Sequence, residues 1–150
     1  MTNETEKKTV EANPIVVARE VALDEFNRWA VAWDIHTELK TMTQEDRDSY
    51  ESQRDAVVAG IMLGNATVSA DGETITYRLK KPTASVSELT FAVPTGAAYM
   101  AMDAQKEGRN IAKMFEFMGA MSKQPGAMFS KLDGRDLKFC QGVVALFLGS

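Results

Sequence analysis

Cysteine and histidine are scarce in this sequence, which has one residue of each type among 150. A single cysteine cannot form an internal disulfide, which favours a reducing compartment such as the cytoplasm. One His and one Cys also cannot supply the ligands of a zinc site within one chain. A hydrolytic triad would need His36 as its base, and His36 lies far along the sequence from Cys140. We therefore predict no metal site and no catalytic residue, and we interpret the protein as a non-enzyme.

Long apolar runs and glycine-rich phosphate-binding motifs are also missing. No run approaches the roughly 18 apolar residues of a membrane span. The polar start MTNETEKK lacks the apolar core of a signal peptide. Neither GxxxxGK[ST] nor GxGxxG occurs, so no backbone cradle for nucleotide phosphates is visible. We expect no membrane association and no cofactor.

Charge is present in quantity and is unevenly distributed. Through residue 65 the chain has 7 Lys or Arg against 13 Asp or Glu, and from residue 66 onward it has 10 against 8. The net charge of −4 therefore combines an acidic front of −6 with a mildly basic remainder of +2. A nucleic-acid-binding domain is expected to have clustered Lys and Arg and a pI above about 9. The leading interpretation is thus a protein without a nucleic-acid partner.

Three cations near the end of the chain keep a DNA-binding alternative open. Helices at about 109–122 and 133–148, joined by a turn, would imitate a helix-turn-helix. Lys131, Arg135 and Lys138 would then face phosphates. A small DNA-binding regulator is therefore one alternative function.

The front of the chain divides into two parts. Residues 1–14 are polar and end in Asn-Pro, which predicts a disordered lead-in. Residues 15–65 predict an acidic helical hairpin, with helices at about 15–40 and 44–63. In the first helix, one face has residues that recur every three or four positions: Ala18, Ala22, Phe26, Trp29, Trp33 and His36.

Residues 66–150 predict a small domain that contains both strands and helices. The pair Asp71-Gly72 supplies the positive φ angles of a tight hairpin turn. The strands are predicted at about 66–70, 74–79 and 87–93, and the helices at about 96–106, 109–122 and 133–148. The predicted fold class is therefore α+β and mostly helical. Its small antiparallel sheet of about three strands is covered by helices and preceded by the helical hairpin.

Methionine is enriched, with nine residues, of which six lie between Met100 and Met128. In the helix at 109–122, Ile111, Met114, Phe115, Met118 and Met121 form an amphipathic stripe. Because methionine is flexible and polarizable, such a stripe fits either a core or a groove for partners of varied shape. The two tryptophans, one helical turn apart, present the same choice. Our candidate partner contacts are Trp29, Trp33, Met114, Phe117, Met118 and Met121.

The order of elements in the second half resembles a known family. Residues 88–95, ELTFAVPT, form a strand that ends in Pro-Thr and leads into a helix of small residues. An apolar helix follows at 111–121, and KLDGRD at 131–136 opens a last helix that closes with QGVVALFL. Over residues 73–148 this order resembles the short tail assembly chaperones of long-tailed bacteriophages, the group related to Mu-like tail proteins. The acidic front has no counterpart in that family.

The resemblance implies a function in virion assembly. Such chaperones bind the tape measure protein during tail assembly and help to recruit tail tube subunits. They act in the host cytoplasm and are absent from the mature virion. The residues leave homo-oligomer formation open. The second alternative function is a structural phage protein, either a tail-completion or a head–tail connector subunit.

Overall fold

The computed structural model describes residues 15–149, so the predicted lead-in at 1–14 lies outside the described residues. The five α-helices within this part are α1 (Arg19–Ala32), α2 (Gln44–Met62), α3 (Gly96–Asp103), α4 (Asn110–Ser122) and α5 (Gly134–Leu148). The three strands are β1 (Ala66–Val68), β2 (Thr74–Arg78) and β3 (Glu88–Ala92). Short 3₁₀ turns occupy Leu39–Thr41 and Gly126–Lys131. The fold is α+β and mostly helical, as predicted.

The helix α1 is shorter than the predicted segment at 15–40. It ends in a Schellman arrangement, in which the N–H of Ile35 donates to the carbonyl of Ala30 at 2.9 Å and Asp34 is left-handed with φ +56°. His36 consequently lies outside the helix and is exposed, with its Nε2 2.8 Å from Thr41 Oγ1. The prediction that His36 shares the tryptophan face of one helix is wrong, because the chain reverses before it.

The helix α2 begins and ends close to the predicted positions. The Thr43 side chain accepts a hydrogen bond from the backbone N–H of Asp46 at 3.1 Å, which caps its first turn. Gly64, with φ +80°, ends the helix. The Arg19 guanidinium lies 3.2 Å from the Asp55 carboxylate. The start of α1 therefore lies beside the second half of α2, and the two helices form the predicted antiparallel hairpin.

The sheet is antiparallel in the order β1-β2-β3. Ile75 in the middle strand pairs with Val68 on one side and Phe91 on the other, and all three are buried. A hairpin turn lies at the predicted place, where the Gly72 N–H donates to the Ser69 carbonyl at 2.9 Å. Only Gly72 is left-handed, with φ +78°, so the predicted positive φ at Asp71 is wrong. A Cβ at Gly72 would lie 2.6 Å from the Arg28 carbonyl oxygen. Glycine is therefore required here both for the turn and for the close approach of α1.

The predicted acidic hairpin and the predicted domain at 66–150 share one hydrophobic core. Arg28 of α1 donates to the carbonyl of Ser69 at 3.1 Å, and Trp33 Nε1 donates to the carbonyl of Glu73 at 2.9 Å. The helix α5 packs along α2 at Gly142, where a Cβ would lie 3.2 Å from the Gln53 carbonyl oxygen. Within the described residues, no helix is both long and apolar enough to span a membrane.

Candidate functional site

An apolar groove of about 350 Å³ lies where α3, α4 and α5 meet. Three polar residues, Asn110, Lys113 and Gln141, contribute to its lining. The remaining lining residues are apolar: Met102, Met114, Phe117, Val144, Ala145 and Leu148. A groove of this composition can take up apolar side chains of a ligand and offers few groups that would orient a polar substrate.

The groove exists because α4 buries only part of its length. Its buried residues all lie in the second half, from Phe117 to Ser122. Ile111, the first residue of the predicted stripe, is 67% exposed in the first turn. Met114 lies between these two regions, half-buried, and lines the groove. The predicted stripe is therefore divided between core and surface.

The structure places five of the six candidate contacts in the core. Phe117, Met118 and Met121 are buried, and so are Trp29 and Trp33. In this conformation these five side chains pack inside the protein and are inaccessible as surface contacts. Phe117 forms part of the buried base of the groove, and Met114 is the candidate that a partner could reach.

Two apolar side chains at the groove reach the surface. Leu148, which lines the groove, is 46% exposed, and Tyr99 of α3 is 44% exposed. Tyr99 also packs edge-on against Phe117, with ring centroids 5.1 Å apart. Exposed apolar residues that cluster around a concave surface are typical of a protein-binding site.

A second feature, which the sequence interpretation missed, is the buried carboxylate of Asp136. Its Oδ1 accepts hydrogen bonds from the Tyr77 hydroxyl at 2.7 Å and from the Lys80 backbone N–H at 2.9 Å. Its Oδ2 accepts a bond from the backbone N–H of Lys81 at 3.1 Å. Asp133, three residues earlier, caps α5 by accepting from the Arg135 N–H at 2.9 Å. Asp136 instead joins α5 to the segment after β2.

Burial and hydrogen bonding around Asp136 also affect its neighbours. Desolvation, and then the hydrogen bond to Asp136, raise the pKa of Tyr77, which keeps the phenol protonated as a donor. Desolvation, and then the charge of Asp136, raise the pKa of Cys140. Cys140 is completely buried, so its structure is that of a packed thiol rather than an accessible nucleophile.

The described residues contain no group of three or more His, Cys, Asp or Glu side chains that could hold a metal ion. The chain matches no model of a protein family. Searches of curated proteins and of solved structures likewise find no similar protein.

Proposed function

We propose that this protein is a non-enzymatic assembly chaperone of a phage tail, which binds an apolar helical segment of the tape measure protein. We also propose that it helps to recruit tail tube subunits. It would act in the host cytoplasm and be absent from the mature virion. The observation that carries this proposal is the apolar groove between α3, α4 and α5.

A helical partner suits the shape and chemistry of this groove. Amphipathic helices bind hydrophobic grooves through apolar side chains at positions i, i+3, i+4 and i+7. Met102 and Met114 at the groove can change rotamers to fit different side chains, which a long helical partner with many related segments would require. The groove therefore supports a binding function better than catalysis on a small molecule.

The resemblance to tail assembly chaperones supports the same proposal. The strand–Pro-Thr–helix order corresponds to β3 and α3, with the Thr95 hydroxyl accepting from the Ala97 N–H at 3.3 Å. The apolar helix and the helix opened by KLDGRD correspond to α4 and α5. Of these elements, the helices α3, α4 and α5 line the groove, so the proposed site lies within the region of resemblance.

Co-expression with the tape measure protein of the same phage tests the proposal. We expect the two proteins to co-purify at low salt. Leu148→Glu, which places a carboxylate at the edge of the groove, is expected to lower recovery of the complex at least tenfold. Val31→Glu is the matched control, because Val31 is a helical residue that is 81% exposed and lies away from the groove.

Two results would contradict the proposal. One is the absence of a complex between the wild-type proteins; the other is equal recovery with Leu148→Glu and Val31→Glu. Mass spectrometry of purified virions tests the structural alternative, since a chaperone should be missing there and a connector subunit present. The DNA-binding alternative predicts duplex binding that falls steeply between about 50 and 200 mM salt.

A further inference from the structure

The exposed side of α5 is a stripe whose chemistry changes along the helix. It begins with the cations Arg135 and Lys138, continues through Gln141 and Ala145, and ends at Leu148. Steps of three or four residues place these side chains on one face. The stripe is about 20 Å long at 1.5 Å per residue, which corresponds to between three and four helical turns.

Three concave regions follow this stripe and join one another. A cleft of about 220 Å³ lies at the basic end, a depression of about 370 Å³ between α2 and α5 follows it, and the apolar groove lies at the other end. The first two share Ala56 and Lys138, and the last two share Gln141 and Ala145. Together they form a continuous track along α5.

Every charged residue that lines this track is a cation. Lys80, Arg135 and Lys138 line the basic cleft, and Lys113 lines the apolar groove. Among the described residues, no Asp or Glu lines any of the three regions, although the whole chain has a net charge of −4. The cationic lining thus distinguishes this track from the cleft beside α1, which Asp24, Asp71 and Glu73 line.

The cations at the basic end are available to a ligand. Lys80 and Lys138 are exposed and form no ion pair with any residue between 15 and 149. The Arg135 guanidinium is 2.9 Å from the Asp133 carboxylate but remains largely exposed. The floor beneath them is the stacked pair Tyr77 and Phe139, whose ring centroids are 4.0 Å apart.

We propose that the track binds a single amphipathic helix of about four turns that is acidic at one end and apolar at the other. The acidic end lies against Lys80, Arg135 and Lys138, and the apolar end enters the groove beside Leu148. This inference rests on the proposed function and adds the charge pattern by which a partner segment is recognised.

Fluorescence anisotropy with designed peptides tests the inference. The probes are blocked helical 16-residue peptides with a Leu/Met face at one end and four glutamates at the other, made in both chain directions. Matched peptides have four lysines in place of the glutamates. We expect at least one glutamate peptide to bind the full chain at least tenfold more tightly than its lysine counterpart.

Reversing the charge of Lys138 tests whether the acidic end of the bound helix lies at the basic end of the track. Lys138→Glu should weaken binding of the glutamate peptide about fivefold and strengthen binding of the lysine peptide. Lys123→Glu is the control, because Lys123 is exposed at the end of α4 and lines none of the three regions. Circular dichroism of each variant verifies that it is folded.

Several outcomes would overturn the inference: no binding by any glutamate peptide, equal affinity for the glutamate and lysine peptides, or equal effects of Lys138→Glu and Lys123→Glu. If the glutamate and lysine peptides bind equally well and Leu148→Glu abolishes the binding of both, the groove is a binding site but charge does not contribute to recognition. Failure of the tape measure protein to co-purify would instead contradict the proposed function itself.

Discussion

The two tryptophans at the end of α1 and the methionine stripe of α4 both recur at helical spacing in the sequence, but they differ in burial. Trp29 and Trp33 have ring centroids 4.8 Å apart, and Phe147 of α5 packs edge-on against Trp33 at 5.9 Å. They form part of the core. In the stripe of α4, Ile111 is 67% exposed, and Met114 lines a groove that remains open to solvent. Helical spacing identified a face in both cases but did not identify what covers that face.

The difference arises from elements that are distant in sequence. The helix α1 is covered by the hairpin of β1 and β2, to which Arg28 and Trp33 donate hydrogen bonds. The helix α3 has only eight residues, and the first half of α4 has no buried residue. The front of the molecule is therefore closed by packing, whereas the region between α3, α4 and α5 remains accessible.

Truncation of a core tryptophan tests how tightly the residues around α1 are packed. Trp29 is completely buried, so Trp29→Ala leaves a large cavity and should lower the free energy of unfolding by about 3–5 kcal/mol. Urea titration followed by far-UV circular dichroism measures the loss. A loss below about 1 kcal/mol would show that the tryptophan face is not tightly packed.

Trp29→Phe separates the volume of this side chain from its polarity. The buried Trp29 Nε1 has no hydrogen-bond partner among the described residues, so replacing the indole removes no hydrogen bond. We expect Trp29→Phe to lower the free energy of unfolding by about 1–2 kcal/mol, well below the loss in Trp29→Ala. Equal losses in the two variants would contradict a packing role.

The next largest effect concerns the carboxylate that joins α5 to the sheet. Asp136→Asn replaces an oxygen acceptor by an amide donor facing the N–H groups of Lys80 or Lys81, and should lower the free energy of unfolding by about 2 kcal/mol. Tyr77→Phe should lower it by about 1 kcal/mol. Because the two groups share one hydrogen bond, the double variant should lose less than the sum of both. Additive losses in urea titrations would contradict the coupling.

Asp136 also shows where sequence interpretation ends. The place of the hairpin turn at Gly72 and the caps at Thr43, Thr95 and Asp133 can be predicted, because each depends on a few neighbouring residues. Asp136, three positions after the cap Asp133, also accepts hydrogen bonds from the segment after β2, more than 50 residues away in the sequence. No local pattern distinguishes it from an ordinary acidic residue in the first turn.

The end of α1 is a case in which a local signal is present but weak. The reversal at Asp34 has the hydrogen bonds of a Schellman motif, yet glycine, the usual residue at the left-handed position, is absent. Asparagine and aspartate adopt this conformation less often than glycine, so the apolar spacing that continues to His36 predicts a longer helix. For the site, the methionine stripe of α4 contains Met114, which lines the groove. The same stripe contains Met118 and Met121, which are buried, and its spacing does not separate the two kinds.

A smaller effect is expected from the half-buried methionine at the boundary between core and groove. Met114→Ala should lower the free energy of unfolding by about 1 kcal/mol, because part of its side chain already contacts solvent. Met118→Ala is the internal comparison: Met118 is completely buried, and its truncation should lower stability by about 2–4 kcal/mol. Urea titrations of both variants measure the difference, and equal losses would mean that the groove wall belongs to the core.

The smallest effect on stability, and the largest on binding, is expected at the end of α5. Leu148 is 46% exposed, so Leu148→Glu should change the free energy of unfolding by no more than about 0.5 kcal/mol in urea titrations. The same substitution is expected to abolish most of the recovery of a helical partner. A residue whose change leaves folding intact but removes binding is an apolar surface residue retained for contact with another molecule. A loss of stability above about 2 kcal/mol would instead make Leu148 part of the core, and the open region would then resemble the tryptophan face of α1.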